Sequence, residues 1–278
     1  MSDGCFKTDI GATDELSLRV SVATLVRALF ENPSDGRVML ALERKATVSG
    51  ASTGRAVEVK SQPFGGALRI HDLSPLQNLL GDFLFDSEES RAEQDFRLFI
   101  RPSDWESVWR FCIRHFNHAG DAVLESDPYR ELAEEFSEAL KIHLKQDQFN
   151  YRLVGTLLEK DPSPAENIHA RGYPTVRVYR IFESRILDNS LAHALVMNSE
   201  RYSNDNLRDL ALEDARKGGK GWANAVLTLP LHQISAFYET ILPEARNKPI
   251  SFQDHKLDET VAAVLEDVTV PKYQRLLL

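Results

Sequence analysis

The order of its segments predicts a mixed α/β or α+β sandwich for this chain. Three observations carry that expectation: stretches rich in β-branched residues alternate apolar and polar positions, segments of helical period interrupt them, and no internal repeat is visible. With 278 residues there is room for one large domain or two small ones, and either buries a core without disulfide or metal staples. The composition, 42% hydrophobic and 27% charged with 14 Gly and 12 Pro, excludes collagen-like, low-complexity and wholly disordered chains.

Residues 1–14 are polar and aperiodic, which predicts a loose tail. Over 16–30, Leu16, Leu18, Val20 and Val22 alternate with polar partners, a strand signature. Asn32-Pro33-Ser34-Asp35-Gly36 is a turn, 37–44 a second strand, and the two form a hairpin. A polar loop over 45–55 leads to a short strand at Val57, Glu58 and Val59, then to the turn Gln62-Pro63-Phe64-Gly65-Gly66-Ala67. Residues 73–118 differ in texture, with an acidic run at 86–89, a strand at 95–101 and a helix from Ser103 to about Phe116. Trp105, Val108, Trp109, Cys112 and Phe116 share one face of that helix and read as core. This stretch is expected to form a small inserted subdomain.

Asp127 and Pro128 open the clearest helix, since Asp is a favoured cap and Pro at the first helical position loses no needed hydrogen bond. It is expected to run to about residue 144. Tyr129, Leu132, Phe136, Leu140 and His143 lie on its apolar face, the glutamates on the other, and Lys141 and Lys145 near its C-terminal end. Strands at 150–159 and 173–183, helices at 203–216 and 230–241 with a loop and strand between them, and a last helix from about 257 to 267 complete the pattern.

Lys and Arg number 33 against 42 Asp and Glu, a net charge of −9, which disfavours an extended nucleic-acid surface or an anionic-membrane surface. Small phosphorylated ligands remain compatible, because a bridging metal can hold them. The two cysteines, Cys5 and Cys112, build neither a zinc site nor a disulfide framework. The polar start predicts no signal peptide, and no run approaches the roughly 18 apolar residues that span a bilayer. A soluble, cytoplasmic protein is expected; the sequence leaves assembly into a homo-oligomer open.

Glu131, Glu134, Glu135 and Glu138 stand at offsets 0, 3, 4 and 7, positions that share one helical face. Like charges so placed repel by a few tenths of a kcal/mol per pair, so they are either solvated or neutralised by a cation. Carboxylate oxygens suit a hard cation such as Mg²⁺, which keeps waters for a phosphate to displace. Arg130 stands beside them and can orient one carboxylate through a bidentate pair.

Arg130-Glu131-Leu132-Ala133-Glu134-Glu135 resembles the core of the Nudix hydrolase box, G-x5-E-x7-R-E-U-x-E-E-x-G-U with U apolar. Upstream, residues 20–26, 38–44 and the Gly65-Gly66 turn resemble the strand, hairpin strand and Gly-Gly turn of that family, and Asp72 is an acid where the box has its first Glu. The resemblance covers roughly residues 16–72 and 120–240. It departs from the pattern in two ways: more than sixty residues separate Gly66 from Arg130, and Ser137 and Glu138 replace the Gly and apolar residue that end the box. The helix is expected to continue past that point.

The resemblance implies a Nudix-like α/β/α sandwich with a mixed sheet, an insertion at about 73–118 and a helical C-terminal extension. It implies Mg²⁺- or Mn²⁺-dependent hydrolysis of a pyrophosphate bond in a nucleoside-diphosphate-linked, small-molecule substrate. Glu131, Glu134 and Glu135 would be metal ligands, Arg130 an orienting residue, and Glu138 or a loop carboxylate the general base.

Other groups are less specific. Arg44 and Arg69 near the diglycine turn are candidate phosphate contacts. Lys217-Gly218-Gly219-Lys220-Gly221 either closes over phosphates or is a mobile surface turn; its spacing is not that of a P-loop. His115 and His118 are three apart and can pair on a metal or simply face solvent. Trp222 and Tyr202 can stack on a base or pack at a rim. Two further readings stay beside the hydrolase: a Nudix-fold module that binds a nucleotide-type ligand as a sensor or recruiting domain, favoured by the insertion and the altered motif end, and a structural protein with an acidic helix.

Overall fold

A computed structural model describes residues 16–49, 56–116, 118, 120–159, 161–164, 170–241, 250–265 and 270–276. The expected tail and Cys5 lie outside the described residues. Strands β1 (Leu18–Glu31), β2 (Val38–Ser49), β3 (Ala56–Gln62) and β4 (Phe64–Ala67) come first. Next are α1 (Ser74–Leu80), β5 (Leu84–Phe85), α2 (Glu88–Glu93), β6 (Arg97–Ile100), α3 (Trp105–Phe116) and α4 (Tyr129–Leu140). Then follow β7 (Phe149–Glu159), β8 (Ser163–Pro164), β9 (Pro174–Ile186), α5 (Asn189–Arg201), α6 (Asn204–Arg216) and β10 (Trp222–Pro230). The chain closes with α7 (Leu231–Ile241), β11 (Ile250–Phe252), β12 (His255–Leu257), α8 (Glu259–Val264) and β13 (Tyr273–Leu276).

The fold is mixed α/β, built on one curled sheet in the order β11-β12-β3-β2-β1-β9-β7-β13. The long strand β1 organises it. One edge runs parallel to β9 from Arg19↔Thr175 to Leu29↔Arg185. The other edge takes three antiparallel partners in succession: β6 at Leu18 to Ser21, β4 at Ala23 to Val26, and β2 at Ala28 to Glu31. Beyond Ala41, β2 leaves β1 and pairs with β3, while its opposite edge pairs with β10. The diglycine strand β4 fills the place that β2 vacates.

Alternation along β1 and β2 separates two apolar layers. Val26, Ala28, Phe30 and Ala41 meet Leu132 and Phe136 of α4, Leu191 and Leu195 of α5, and Phe64. Leu29, Leu40 and Leu42 meet Ile234 and Tyr238 of α7 and Val261 of α8. A third cluster joins Val20 and Val22 to β6, to α3 through Val108, Phe111, Cys112 and Phe116, and to Val176 and Val178 of β9. Among the described residues no helix is long and apolar enough to cross a membrane.

Several expectations change. Residues 73–118 are not a separate lobe, because β6 pairs with β1 and α3 packs on its first residues. The strand expected to end at 44 continues to Ser49; of the expected loop, 50–55 lie outside the described residues. The Gly65-Gly66 turn is a strand, since Phe64 and Gly65 lie in antiparallel register with Val26 and Leu25. The acid helix stops at Leu140, where Lys141 takes a left-handed conformation, so exposed His143 is not on its apolar face. Helix α5 was not expected; Asp188 caps it by accepting from Leu191 N at 2.7 Å. The C-terminal part is only partly helical, with β11, β12 and β13 added to the sheet.

Gly65 has φ +142°, and a Cβ there would overlap the carbonyl oxygen of Thr24 across the ladder. Backbone, not a movable side chain, stands in the way. Gly65→Ala is therefore expected to lower unfolding stability by roughly 2–4 kcal/mol in urea denaturation, whereas Gly36→Ala, strained by its φ of +70° but with open space around it, is expected to cost only about 1 kcal/mol.

Candidate functional site

Helix α4 lies across the face of β2, β4 and β10. Pro128 precedes it, and Asp127 Oδ1 accepts from Tyr129 N at 2.9 Å, so the expected start is displaced by one residue. Burying Leu132 and Phe136 contributes roughly 2–3 kcal/mol each, well above the repulsion among neighbouring glutamates. The four acids do not share one environment. Glu131 is buried and Glu135 largely so, while Glu134 and Glu138 are exposed.

Arg130 ties the site together. Its Nε and Nη2 donate to Glu125 Oε1 and Oε2 at 2.7 and 2.8 Å, a bidentate fork. Nη2 also donates to Ala67 O at 3.0 Å and to Glu131, and Nη1 donates to Glu134 Oε2 at 3.1 Å. Burial disfavours the guanidinium charge, but Glu125, Glu131 and Glu134 more than compensate and hold its pKa above the ordinary value. Glu125 is itself positioned: its N–H donates to Arg69 O at 3.0 Å, and buried Arg180 donates to its carbonyl at 3.2 Å.

The diglycine strand and the acids meet. A Cβ on Gly66 would overlap the Glu131 carboxylate, so any larger residue here would displace that carboxylate from its present position. Burial raises the Glu131 pKa to about 7 despite Arg130, with Glu125 and Glu134 adding to the rise. One turn further on, Glu135 meets Glu43 of β2, a carboxyl that is 0% exposed. Burial first and then the Glu43 charge hold the Glu135 pKa far above the usual carboxylate range. Gln62 donates to Glu43 Oε2 at 2.8 Å, and Lys45 Nζ lies 3.9 Å from Oε1. Glu138 accepts from Asn224 Nδ2 at 2.9 Å. Glu43 Oε1, Glu135 Oε2 and Asn224 Oδ1 are buried acceptors without a hydrogen-bond donor.

Such an all-oxygen set suits a hard cation, and the orphaned acceptors mark where positive charge is wanting. Among the described residues, however, no three acidic, His or Cys side chains converge closely enough to hold a metal as they stand.

Other predicted residues are elsewhere. Arg44 is buried, and its Nη2 donates to the carbonyls of Ser199 (3.3 Å), Tyr202 and Val226 (3.4 Å), closing the end of α5. Its expected phosphate contact is replaced by this structural role; burial lowers its pKa to about 10. Arg69 borders the site through its backbone, but its Nε donates to Glu93 O at 3.1 Å. Lys217 pairs with Glu213 on the surface, away from the acids. The Gly-rich loop is pinned, because Gly221 N donates to Asp214 Oδ2 at 2.8 Å and Gly219 N to Asp214 O at 2.9 Å, so those amides do not form a phosphate cradle. Lys220 lies over the Trp222 ring. Asp72 caps Ser74 N, and the acid that meets Arg130 is Glu125 instead. His115 bonds Asp121, at 2.9 Å, rather than His118. A shallow cavity of about 360 Å³ at the α5–α6 corner is lined by Arg201, Tyr202, Asn206, Asp209 and Leu210, none of which is an expected catalytic or metal residue.

Sequence reasoning missed Glu43, Glu125 and Asn224. Glu43 had a signal: it occupies the inward register of Met39 and Ala41 in β2, where a charge is costly unless paired. Glu125 and Asn224 had none. Comparisons with protein-family models, with curated proteins and with solved structures find no match.

Because folding raises the pKa of both Glu131 and Glu135, their contribution to stability is fully present below the ordinary carboxylate pKa and is lost as pH rises. Glu135→Gln is neutral at every pH. The metal-free variant is expected to melt higher than wild type by roughly 3 °C or more at about pH 8, with the difference shrinking toward about pH 5 in thermal scans.

Proposed function

We propose that the protein is a Mg²⁺- or Mn²⁺-dependent hydrolase of a pyrophosphate bond in a nucleoside-diphosphate-linked substrate, of the Nudix kind. The juxtaposition of Gly66 with Glu131, one helical turn from the Glu135–Glu43 pair, carries this reading. It brings together the Gly-Gly and Arg-Glu-x-x-Glu-Glu portions of a box that the sequence separates by more than sixty residues.

In this reading Glu131 and Glu135, with Glu134 reaching from solvent, hold the cation, and Glu43 backs Glu135 as a further ligand or as its hydrogen-bond partner. The chemistry a divalent ion would supply there is neutralisation of the diphosphate and a lowered pKa for the attacking water. Gly66, with no side chain, lets backbone approach the phosphate. Arg130 orients Glu131 and Glu134 rather than binding metal. Glu138, which accepts a hydrogen bond from Asn224, or a loop carboxylate would take the proton of the attacking water. The alternative, a module that binds its nucleotide without cleaving it, is favoured by the absence of a ready three-acid cage among the described residues.

Phosphate release, measured after phosphatase treatment across a panel of nucleoside diphosphate derivatives, separates the two. The hydrolase requires Mg²⁺-dependent product and a loss of about 100-fold or more in kcat for Glu134→Gln and Glu135→Gln with the melting transition intact. Rates unchanged from wild type in both variants remove the acids from the mechanism. Melting shifted upward by nucleotide, without product, selects the binding module.

A further inference from the structure

Trp222 opens β10 and is 43% exposed, an uncommon setting for so large an aromatic surface. It is not loosely held. Asp214 grips the preceding Gly221, and Gly221 N–H and Trp222 N–H both point to Asp214 Oδ2, at 2.8 and 3.4 Å. Two ammonium groups lie over its ring: Lys45 Nζ is 4.3 Å and Lys220 Nζ 4.8 Å from the ring centre.

The cross-strand register places this group on the acid row. Trp222 pairs with Thr47, Asn224 with Lys45, and Val226 with Glu43, so alternate residues of both strands face α4 together. Along that face stand, in order, the Glu135–Glu43 pair, then Lys45 with Asn224 and Glu138, then Trp222 with Lys220. From the Glu43 pairing position to Trp222 is four residues of strand, roughly 13 Å. The row therefore has acids at one end and, at the other, the Trp222 ring with Lys45 and Lys220 against it. A nucleoside diphosphate offers a flat base to the ring and phosphates to the two ammonium groups.

We propose that Trp222 is the specificity platform of the site, stacking the nucleobase of a nucleoside diphosphate while Lys45 and Lys220 take its phosphates. This inference rests on the nucleotide reading given above and adds the residues that select an aromatic nucleoside over a bare or aliphatic diphosphate. Lys220 also pairs with Glu89 of α2 at 3.7 Å, both side chains being well exposed. Such a pair is held weakly and gives way readily to a phosphate.

The test measures binding to the full chain in EDTA, so no bond is broken. Adenosine diphosphate, adenosine and inorganic pyrophosphate are titrated by calorimetry and by tryptophan fluorescence. Adenosine diphosphate is expected to bind and quench, Trp222→Ala to weaken it about tenfold or more, and Trp222→Phe to keep it within about threefold. Lys45→Ala with Lys220→Ala is expected to weaken adenosine diphosphate but not adenosine. Pyrophosphate binding as tightly as the nucleotide, unaltered affinity in Trp222→Ala, or no nucleotide binding by wild type each overturns the proposal. If Trp222→Ala does not fold, protection of wild-type fluorescence from acrylamide by the nucleotide, lost in Trp222→Phe, decides instead; no protection overturns it. A chain that binds but never hydrolyses passes this test, and a hydrolase indifferent to the base fails it, so the two readings are separable.

Discussion

The Arg130 guanidinium is the interaction on which the arrangement of this site depends. It joins Glu125 in the approach to α4, Ala67 at the end of the diglycine strand and two glutamates of α4 itself. A fork with several donors in one plane can serve such divergent partners, and an ammonium cannot do so with the same geometry. Its neutralising charge also permits acids to stand close together beside a buried strand. Without it, Glu131 would face Gly66 as an uncompensated buried carboxylate, which costs several kcal/mol.

One turn along, no such cation is supplied. Glu135 and Glu43 face each other under cover, and the protein meets the cost by keeping a proton on Glu135. The two halves of the site therefore solve the same electrostatic problem differently, one with a fixed guanidinium and one with a proton that can leave.

Much of the scaffold was legible from side-chain periodicity. The β-branched alternation of Val20 and Val22, the inward set Met39 and Ala41, and the apolar pattern of β9 locate strands that the structure pairs as parallel and antiparallel neighbours. Helix α5 escaped because its apolar residues form a nearly continuous run from Leu191 to Met197 rather than a stripe at helical period, leaving Asp188 as its strongest local signal. The segment 73–118 looked like an insertion because it separates two parts of a motif, yet its strand completes the edge of β1. Pairing partners are set by long-range geometry, which local composition does not encode.

The sequence by itself determined that α4 is amphipathic, that its acids cluster and that a basic residue stands beside them, because helical period and residue type are local properties. It did not determine which acids turn inward. At about 100° per residue Glu135 lies only about 60° from Leu132 around the helix, so packing Leu132 and Phe136 into the sheet carries Glu135 inward and leaves Glu134 outside. Whether an acid so placed meets solvent, an arginine or another carboxylate was decided by what β2 and β4 present beneath it. Those strands come from residues more than sixty positions away, and only the folded chain brings Gly66 and Glu43 under the helix.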